Sequence, residues 1–222
     1  MTKIIAECGL NWVGPDDATA LGLACLDAGA DYVKYQMLTD PYRTARDRGL
    51  DLYAAGAWAA QIPRMTDDEW AYVLDAIPRE QRMVSVFSPN DVLTATRLRV
   101  DNLKIGHKEG RLSRLVFDYA RTVFRTLGSL DSDFGGGGCV MYCVPCYPAP
   151  MDDCLHLLRT LGENYGYSDH CENVVPAHRA IQQGRPWVEI HVRPDGPGKY
   201  LDDAVSKSLA ALKILCGEAH HA

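Results

Sequence analysis

The sequence predicts a (β/α)8 barrel, an α/β fold in which eight parallel strands alternate with helices. Three observations support this prediction: eight short β-rich segments, amphipathic segments between most of them, and acidic residues and glycines where those helices should begin and end. The chain has 222 residues, and barrels of this type commonly run to roughly 200–250 residues. We therefore expect a single domain over residues 1–222.

The predicted strands and helices follow one another along the whole chain. The strands cover residues 3–8, 32–36, 83–88, 102–107, 122–126, 139–144, 165–170 and 187–192. The helices cover residues 16–28, 67–76, 91–99, 112–120, 152–161, 174–183 and 203–216. This alternation is typical of repeated βα units and indicates a parallel sheet.

Two segments depart from the regular alternation. Residues 128–138 include four consecutive glycines, which disfavour a helix, so we expect a Gly-rich loop in place of the fifth helix. Residues 37–64 form a long segment after the second strand, and long segments on this side of a barrel often cover the site. We interpret it as a candidate lid, with an excursion that only packs on the barrel as the alternative.

Composition and charge exclude several classes of function. Hydrophobic residues make up 47% of the chain, and the formal net charge is -6. A nucleic-acid surface needs a cluster of positive charge, which the sequence lacks, so we expect small-molecule ligands instead. The first residues enter a strand with no apolar leader, and no stretch is long enough to span a bilayer. We expect a cytoplasmic protein without membrane partners, and a homo-oligomer that covers the flank left by the missing helix.

Polar side chains recur two residues apart near the ends of predicted strands. The pairs are Lys34 with Gln36, Ser168 with His170, and Glu189 with His191. Because side chains alternate along a strand, both members of a pair point to the same face. In a barrel that face can be the interior near the catalytic mouth.

Lys34 and Lys104 lie inside strands that should be buried on both faces. A buried ammonium is costly unless an anion pairs with it. The two lysines favour a phosphate or carboxylate ligand, to which Arg125 could add a bidentate contact. The alternative is a structural ion pair with a protein carboxylate, and the candidates for that partner are Glu7, Glu109 and Glu189.

His170 and His191 end the last two predicted strands, and neutral imidazoles are common ligands of divalent transition metals. Two histidines alone are a weak metal signal. A second candidate metal site is the spacing Cys139-x3-Cys143-x2-Cys146, which also occurs in enzymes that hold an iron-sulfur cluster. Because this triplet runs through a predicted strand, we favour reduced core thiols for most of the eight cysteines.

Six segments in order resemble motifs of the sialic acid synthase family, over nearly the whole chain from Ile4 to about Leu215. The segments are Ile4 to Asn11, Gly29 to Gln36, Leu103 to Gly106 with Glu109, Tyr147 to Pro150, Gly166 to His170, and Glu189 to His191. They are similar to the family patterns IAEIGxNH, GADxVKxQ, YKIxSxE, YPxP, GYSDH and ExH. A single motif of this length is weak, whereas six in the right order are specific.

The resemblance implies roles for most of the residues singled out above. It implies that His170 and His191 bind a divalent metal, manganese first, with magnesium, cobalt, zinc and iron left open. The substrate-binding residues that we expect are Lys34, Lys104, Ser168, Arg125, His107 and Ser88. The catalytic residues that we expect are Glu7, Lys34, Gln36, Lys104, Glu109 and Tyr147.

The implied activity is a condensation of phosphoenolpyruvate, or a related phosphorylated three-carbon acid, with an aldehyde acceptor and release of phosphate. Five positions depart from the family pattern, and they make an unusual acceptor the expectation: Trp12, His107, Arg125, Pro145 and Lys199. We also expect no C-terminal antifreeze-like domain. The alternatives are a lyase, aldolase or isomerase acting on another phosphorylated substrate, and a noncatalytic metabolite-binding subunit of a larger synthase.

Overall fold

The computed structural model describes residues 1–106, 108–128, 138–196 and 200–221. Eight parallel strands close into a barrel in chain order, with β8 pairing back onto β1. The strands are β1 Lys3–Gly9, β2 Tyr32–Met37, β3 Arg82–Val86, β4 Asn102–Ile105, β5 Thr122–Gly128, β6 Cys139–Cys143, β7 Gly166–Asp169 and β8 Trp187–His191. The predicted (β/α)8 barrel is confirmed.

Helices connect these strands on the outside of the barrel. In the described residues they are α1 Pro15–Asp27, α2 Pro41–Asp47, α3 Leu52–Ala59, α4 Asp67–Asp75, α5 Pro89–Arg97, α6 Ser113–Tyr119, α7 Met151–Thr160, α8 Val175–Gln182 and α9 Leu209–His221. None of these helices is both long enough and apolar enough to cross a membrane. The predicted loss of the fifth helix falls on residues 129–137, which lie outside the described residues.

The last helix begins later than the sequence pattern predicts. Asp203–Val205 forms only a short 3-10 helix, and α9 begins at Leu209. Between them, Lys207 forms a parallel bridge with Val192, and its amide donates to the carbonyl of His191 at 2.7 Å. This pairing extends the chain along the end of β8, so a helix cannot continue through it.

The predicted lid segment contains two short helices. Asp40 caps α2 by accepting a hydrogen bond from the amide of Arg43, and Asp51 caps α3 by accepting one from the amide of Ala54. Each aspartate satisfies an amide that has no partner inside the helix. The segment is therefore ordered by local capping, which its mixed composition did not indicate.

The amino-terminal end of the barrel interior is filled by apolar side chains. Ile5, Met83, Phe124 and Met141 form a buried cluster at this end. The ring of Phe124 also packs edge-on against Trp187, with centroids 6.0 Å apart. Because these side chains fill the amino-terminal end, the described part of the interior is open toward the carboxyl ends of the strands.

Asp31 ties the start of the chain to its last helix. Its carboxylate accepts from Lys3 Nζ at 2.7 Å, from the amide of Ile4 at 2.9 Å and from His220 Nε2 at 3.0 Å. Burial by itself would raise the pKa of Asp31, but these hydrogen bonds outweigh it and lower the pKa below its ordinary 3.8. The charged form is therefore favoured in the folded state.

We expect Asp31→Asn to reduce the free energy of unfolding by roughly 1–2 kcal/mol near neutral pH, since hydrogen bonds to a charged group are lost. A carboxyl group with a lowered folded-state pKa stabilises the protein above its unfolded pKa and loses that effect as the pH falls. Urea unfolding at several pH values should therefore show the two proteins converging in acid. Asp27→Asn, at an exposed position four residues earlier, is the control and should change little; an equal loss there would contradict the assignment.

Candidate functional site

A cavity of about 400 Å³ lies at the carboxyl ends of the strands. Strand register places its polar residues side by side, because Glu7 pairs with Lys34 on one side and with His191 on the other. Ser85 likewise pairs with both Gln36 and Lys104. The predicted alternation along each strand and the register between strands therefore place these polar side chains in one layer of the barrel interior.

The two predicted lysines meet two carboxylates in this layer. Lys34 forms a close ion pair with Glu7, lies 3.1 Å from Glu189 Oε2 and donates to Ser85 Oγ at 2.9 Å. Lys104 Nζ lies 2.5 Å from Glu189 Oε1. All four charged side chains are at most 6% exposed. The alternative of protein partners is thus realised for Glu7 and Glu189, while the lysines still line the open cavity.

Burial disfavours the charged forms of both Lys34 and Glu189, and neighbouring charges also act on the pKa of each group. Burial lowers the pKa of Lys34, and the nearby Lys104 lowers it further, while Glu189 acts in the opposite direction. For Glu189, burial favours the neutral acid, but the two ammonium groups outweigh it and hold the pKa of this carboxyl well below its usual range. Glu189 is therefore ionised and shared between both lysines, and Ser168 Oγ also donates to its Oε1 at 2.8 Å.

His170 is held in one orientation by the backbone. Its Nδ1 lies 2.9 Å from the carbonyl oxygen of Val144. Because a carbonyl can only accept, Nδ1 carries the proton and Nε2 keeps a lone pair. Burial and the neighbouring His191 lower the pKa of His170 to about 3, so the ring is neutral at physiological pH.

The two imidazoles suit a divalent metal as partial ligands. Their ring centroids are 5.6 Å apart, which lets both rings reach one ion at a metal–nitrogen distance of about 2.1 Å. At present the lone pair of His170 Nε2 accepts from the Tyr147 hydroxyl at 2.8 Å. Among the described residues no group of three or more His, Cys, Asp or Glu is arranged around a common metal position. Two neutral imidazole nitrogens are a donor set that fits a divalent transition metal.

Glu109 lies at the rim and not within the main cavity. Its Oε1 accepts from Arg48 Nε at 3.0 Å and from Arg48 Nη2 at 2.9 Å. The Arg48 guanidinium also lies 5.2 Å from the centre of the Phe87 ring. Arg48 follows α2 and lines the cavity together with Trp58 and Ile62. The candidate lid is therefore a wall of the cavity; whether it moves stays a prediction.

Among the expected substrate-binding residues that the structure describes, Arg125, Ser88 and Ser168 do not line the cavity. Ser168 is fully buried and donates to Glu189 Oε1. Arg125 stands between Phe124, which packs in the inner apolar cluster, and Thr126, which lines the cavity, so alternation turns it to the outer face. Ser88 lies beyond the end of β3 and caps α5 by accepting from the amide of Asp91. His107 lies outside the described residues, as does Lys199.

The sequence analysis missed several described cavity residues, and the polar ones are Ser85, Thr126, Asp202, Arg48 and Lys108. Ser85 and Thr126 could have been found from side-chain alternation along the strands. They lie two residues after Met83 and Phe124, which point into the barrel. Asp202 lies 3.6 Å from His191 Nδ1 and accepts from Gln36 Nε2 at 3.3 Å. It belongs to an irregular connection, for which no periodicity gives a signal.

The cysteine triplet does not form a cluster. All eight cysteines lie in the described ranges, and none is in a disulfide. Cys143 is buried and lines the cavity, Cys139 begins the same strand four residues earlier, and Cys146 is exposed. A strand rises about 3.3 Å per residue, which puts Cys139 and Cys143 roughly 13 Å apart along it. That distance is too long for one iron-sulfur cluster.

Comparison with known proteins agrees with the fold. The family model described as the NeuB family matches residues 23–222. The chain is 28% identical to the spore coat polysaccharide biosynthesis protein SpsE of Bacillus subtilis (strain 168), over 86% of this chain and 60% of that protein. The chain thus spans less than two thirds of this relative.

Two solved structures share the barrel. One is an N-acetylneuraminic acid (sialic acid) synthetase from Leptospira borgpetersenii serovar Hardjo-bovis in complex with citrate, with a TM-score of 0.82, 22% identity, and coverage of 99% of this chain and 83% of that one. The other is SpsE of Bacillus subtilis, with a TM-score of 0.73, 22% identity, and coverage of 99% and 67%. At these identities the structures establish the fold alone.

Gly9 should be required for the shape of the cavity. Its φ is +51°, and a Cβ there would lie 2.5 Å from Asp202 Oδ2 and 3.0 Å from Glu7 Oε1. We expect Gly9→Ala to lower the free energy of unfolding by more than the roughly 1–2 kcal/mol of left-handed strain alone. Gly184→Ala is the matched control for urea unfolding, since Gly184 has φ +66° with nothing within 4 Å. Equal losses in the two variants would rule out the close approach.

A double-mutant cycle should reveal the shared carboxylate. We expect Glu189→Gln and Lys104→Met each to destabilise the protein by about 3–5 kcal/mol, because each leaves a buried charge without its partner. The double variant should lose clearly less than the sum of the two. Lys213→Met, at an exposed position on α9, should change stability little. Strict additivity in chemical denaturation would refute the pairing.

Proposed function

This chain belongs to the NeuB family, and from that premise we propose that it is a metal-dependent condensing enzyme. It joins phosphoenolpyruvate, or a related phosphorylated three-carbon acid, to an aldehyde acceptor and releases phosphate. The observation that carries the proposal is the convergence of two lysines and two imidazoles on one cavity, namely Lys34, Lys104, His170 and His191. Packing alone does not require this combination, since each charged group is costly to bury.

Lys104 is the better placed of the two lysines to bind a substrate anion. Lys34 already contacts Glu7, Glu189 and Ser85, whereas Lys104 shares only one Glu189 oxygen among these groups. An ammonium has three N–H donors, so Lys104 can bind a phosphate or carboxylate oxygen while it keeps this contact. Fixed cations that are already oriented stabilise charge without rearrangement during the reaction.

The proposed reaction forms a carbon–carbon bond and a carbon–oxygen bond to water, and it breaks the carbon–oxygen bond to phosphate. The enol carbon of phosphoenolpyruvate attacks the aldehyde carbon, water adds to the cationic carbon that results, and phosphate leaves. The water must lose a proton and the new alkoxide must gain one. Glu7 Oε1 is buried in the cavity wall with no hydrogen-bond partner among the described residues. With Lys34 in contact with it, Glu7 is placed to accept the proton from water.

His170 and His191 are the residues that would hold the metal. When bound, a divalent ion supplies Lewis-acid polarisation of the aldehyde oxygen. The hydrogen bond from His170 Nδ1 to the Val144 carbonyl presents the Nε2 lone pair to the cavity. The Tyr147 hydroxyl, which donates to that lone pair here, would have to turn aside.

A noncatalytic metabolite-binding role is the second candidate, and the ion pairing of both lysines favours it. If the carboxylates permanently neutralise the lysines, a substrate anion gains little by entering. A lyase, aldolase or isomerase on another phosphorylated substrate is the remaining alternative. Turnover of phosphoenolpyruvate separates the condensing enzyme from both alternatives.

We expect phosphoenolpyruvate to bind in the presence of Mn²⁺ and to bind at least 10-fold more weakly to Lys104→Gln, because a charged hydrogen bond contributes about 1.5–3 kcal/mol. Isothermal titration calorimetry measures both affinities. Lys213→Gln changes the same charge at an exposed position on α9 and should bind like the parent. No binding to the parent, or unchanged binding in Lys104→Gln, would end the proposal.

Phosphate release tests the chemistry itself. Incubation with phosphoenolpyruvate, Mn²⁺ and a panel of sugar aldehydes should release phosphate with at least one acceptor. His191→Gln should abolish the release and weaken Mn²⁺ binding. Phosphoenolpyruvate binding without phosphate release across the panel would favour the metabolite-binding candidate.

A further inference from the structure

Two cysteines flank the turn after β6, and the proposed reaction uses neither of them. Cys143 is the last residue of β6, is 1% exposed and lines the cavity. Cys146 follows three residues later and is exposed. The sequence between them is Val144-Pro145, so the turn contains a Cys-x-x-Cys motif. This spacing is typical of dithiols that cycle between reduced and disulfide forms.

We propose that Cys143 and Cys146 form a reversible disulfide on reaction with a small-molecule disulfide, and that this changes the orientation of His170. The bond formation does not rest on the proposed function. It needs only an accessible thiol, a second thiol close in the chain, and an oxidant of that class.

The backbone of this turn favours formation of a disulfide between Cys143 and Cys146. The amide of Cys146 donates to the carbonyl of Val144 at 2.8 Å, so the chain reverses around Pro145 immediately after the strand. The proline ring restricts φ at that position and reduces the conformational freedom lost on ring closure. Cys146 is exposed and Cys143 is buried, so Cys146 can react first with a dissolved disulfide and Cys143 can act as the resolving thiol.

The chemistry is a balanced thiol–disulfide exchange. The Cys146 thiolate attacks one sulfur of oxidised glutathione, the sulfur–sulfur bond breaks, and one glutathione thiolate leaves. The Cys143 thiolate then attacks the sulfur of Cys146 and expels the second glutathione. The two departing thiolates take up the protons that the two cysteines lose. The protein dithiol is oxidised, and glutathione disulfide is reduced to two thiols.

The same turn orients one imidazole from both sides. The carbonyl of Val144 accepts from His170 Nδ1 at 2.9 Å, and the Tyr147 hydroxyl donates to His170 Nε2 at 2.8 Å. The ring of Tyr147 also stacks on that imidazole, with centroids 4.1 Å apart. A disulfide imposes specific bond lengths and dihedral angles on the residues it joins. Formation of the disulfide must therefore move the Val144 carbonyl and the Tyr147 side chain, which hold His170.

Native protein treated with oxidised glutathione should lose two of its eight thiols, counted after denaturation because six of them are buried. Peptide mapping should place one disulfide between Cys143 and Cys146. In Cys143→Ser, Cys146 should instead retain one glutathione, because no resolving thiol remains. In Cys146→Ser, position 143 should stay reduced. Cys139→Ser, four residues earlier in β6, is the matched control and should behave like the parent. Stable glutathione on Cys146 of the parent, or a disulfide that joins other cysteines, would overturn the proposal.

The effect on His170 is measured without any assay of activity. Nitrogen NMR of the histidine side chains, with His170 assigned through His170→Gln, should shift on oxidation and return with dithiothreitol. Unchanged His170 resonances in a protein whose disulfide has formed would disprove the link to the imidazole. Failure to bind phosphoenolpyruvate would contradict the proposed function and leave both of these results interpretable.

Discussion

Two lysines share two carboxylates inside the mouth of the barrel, and the rest of the site depends on this cluster of Lys34, Lys104, Glu7 and Glu189. Burying any one of these charges alone would cost several kcal/mol, so each side chain holds its neighbours in place. The cavity therefore has fixed charges on its wall before any ligand enters. The substrate anion that we propose would have to share these lysines with carboxylates, so its binding would redistribute ion pairs within the cluster.

The barrel separates the two ends of its interior by side-chain chemistry. Apolar residues around Phe124 close the amino-terminal end, so polar groups can converge only at the carboxyl ends of the strands. Irregular connections complete that end. Arg48, from the segment after β2, is fixed by Glu109 and forms part of the wall, while Asp202 approaches His191 from the segment after β8. The closed sheet fixes the positions of the strand residues, whereas the connections between strands supply contacts that can vary.

The imidazoles illustrate how backbone and side chains act together. The carbonyl of Val144 selects the tautomer of His170, and burial keeps that ring neutral. This carbonyl belongs to the turn that contains Cys143 and Cys146, so the orientation of His170 depends on a segment outside the regular strands.

The sequence by itself determined the eight strands and the inward direction of Lys34 and Glu189, because alternation along a strand is a local property. Arg125 was expected to contact the substrate anion, but it stands between the inward-facing Phe124 and Thr126, and a difference of one residue moves a side chain to the other face. Only the tertiary structure decided that Glu7, and not Glu109, pairs with the buried lysines. That choice depends on ring closure and on the placement of irregular connections, which no local pattern encodes.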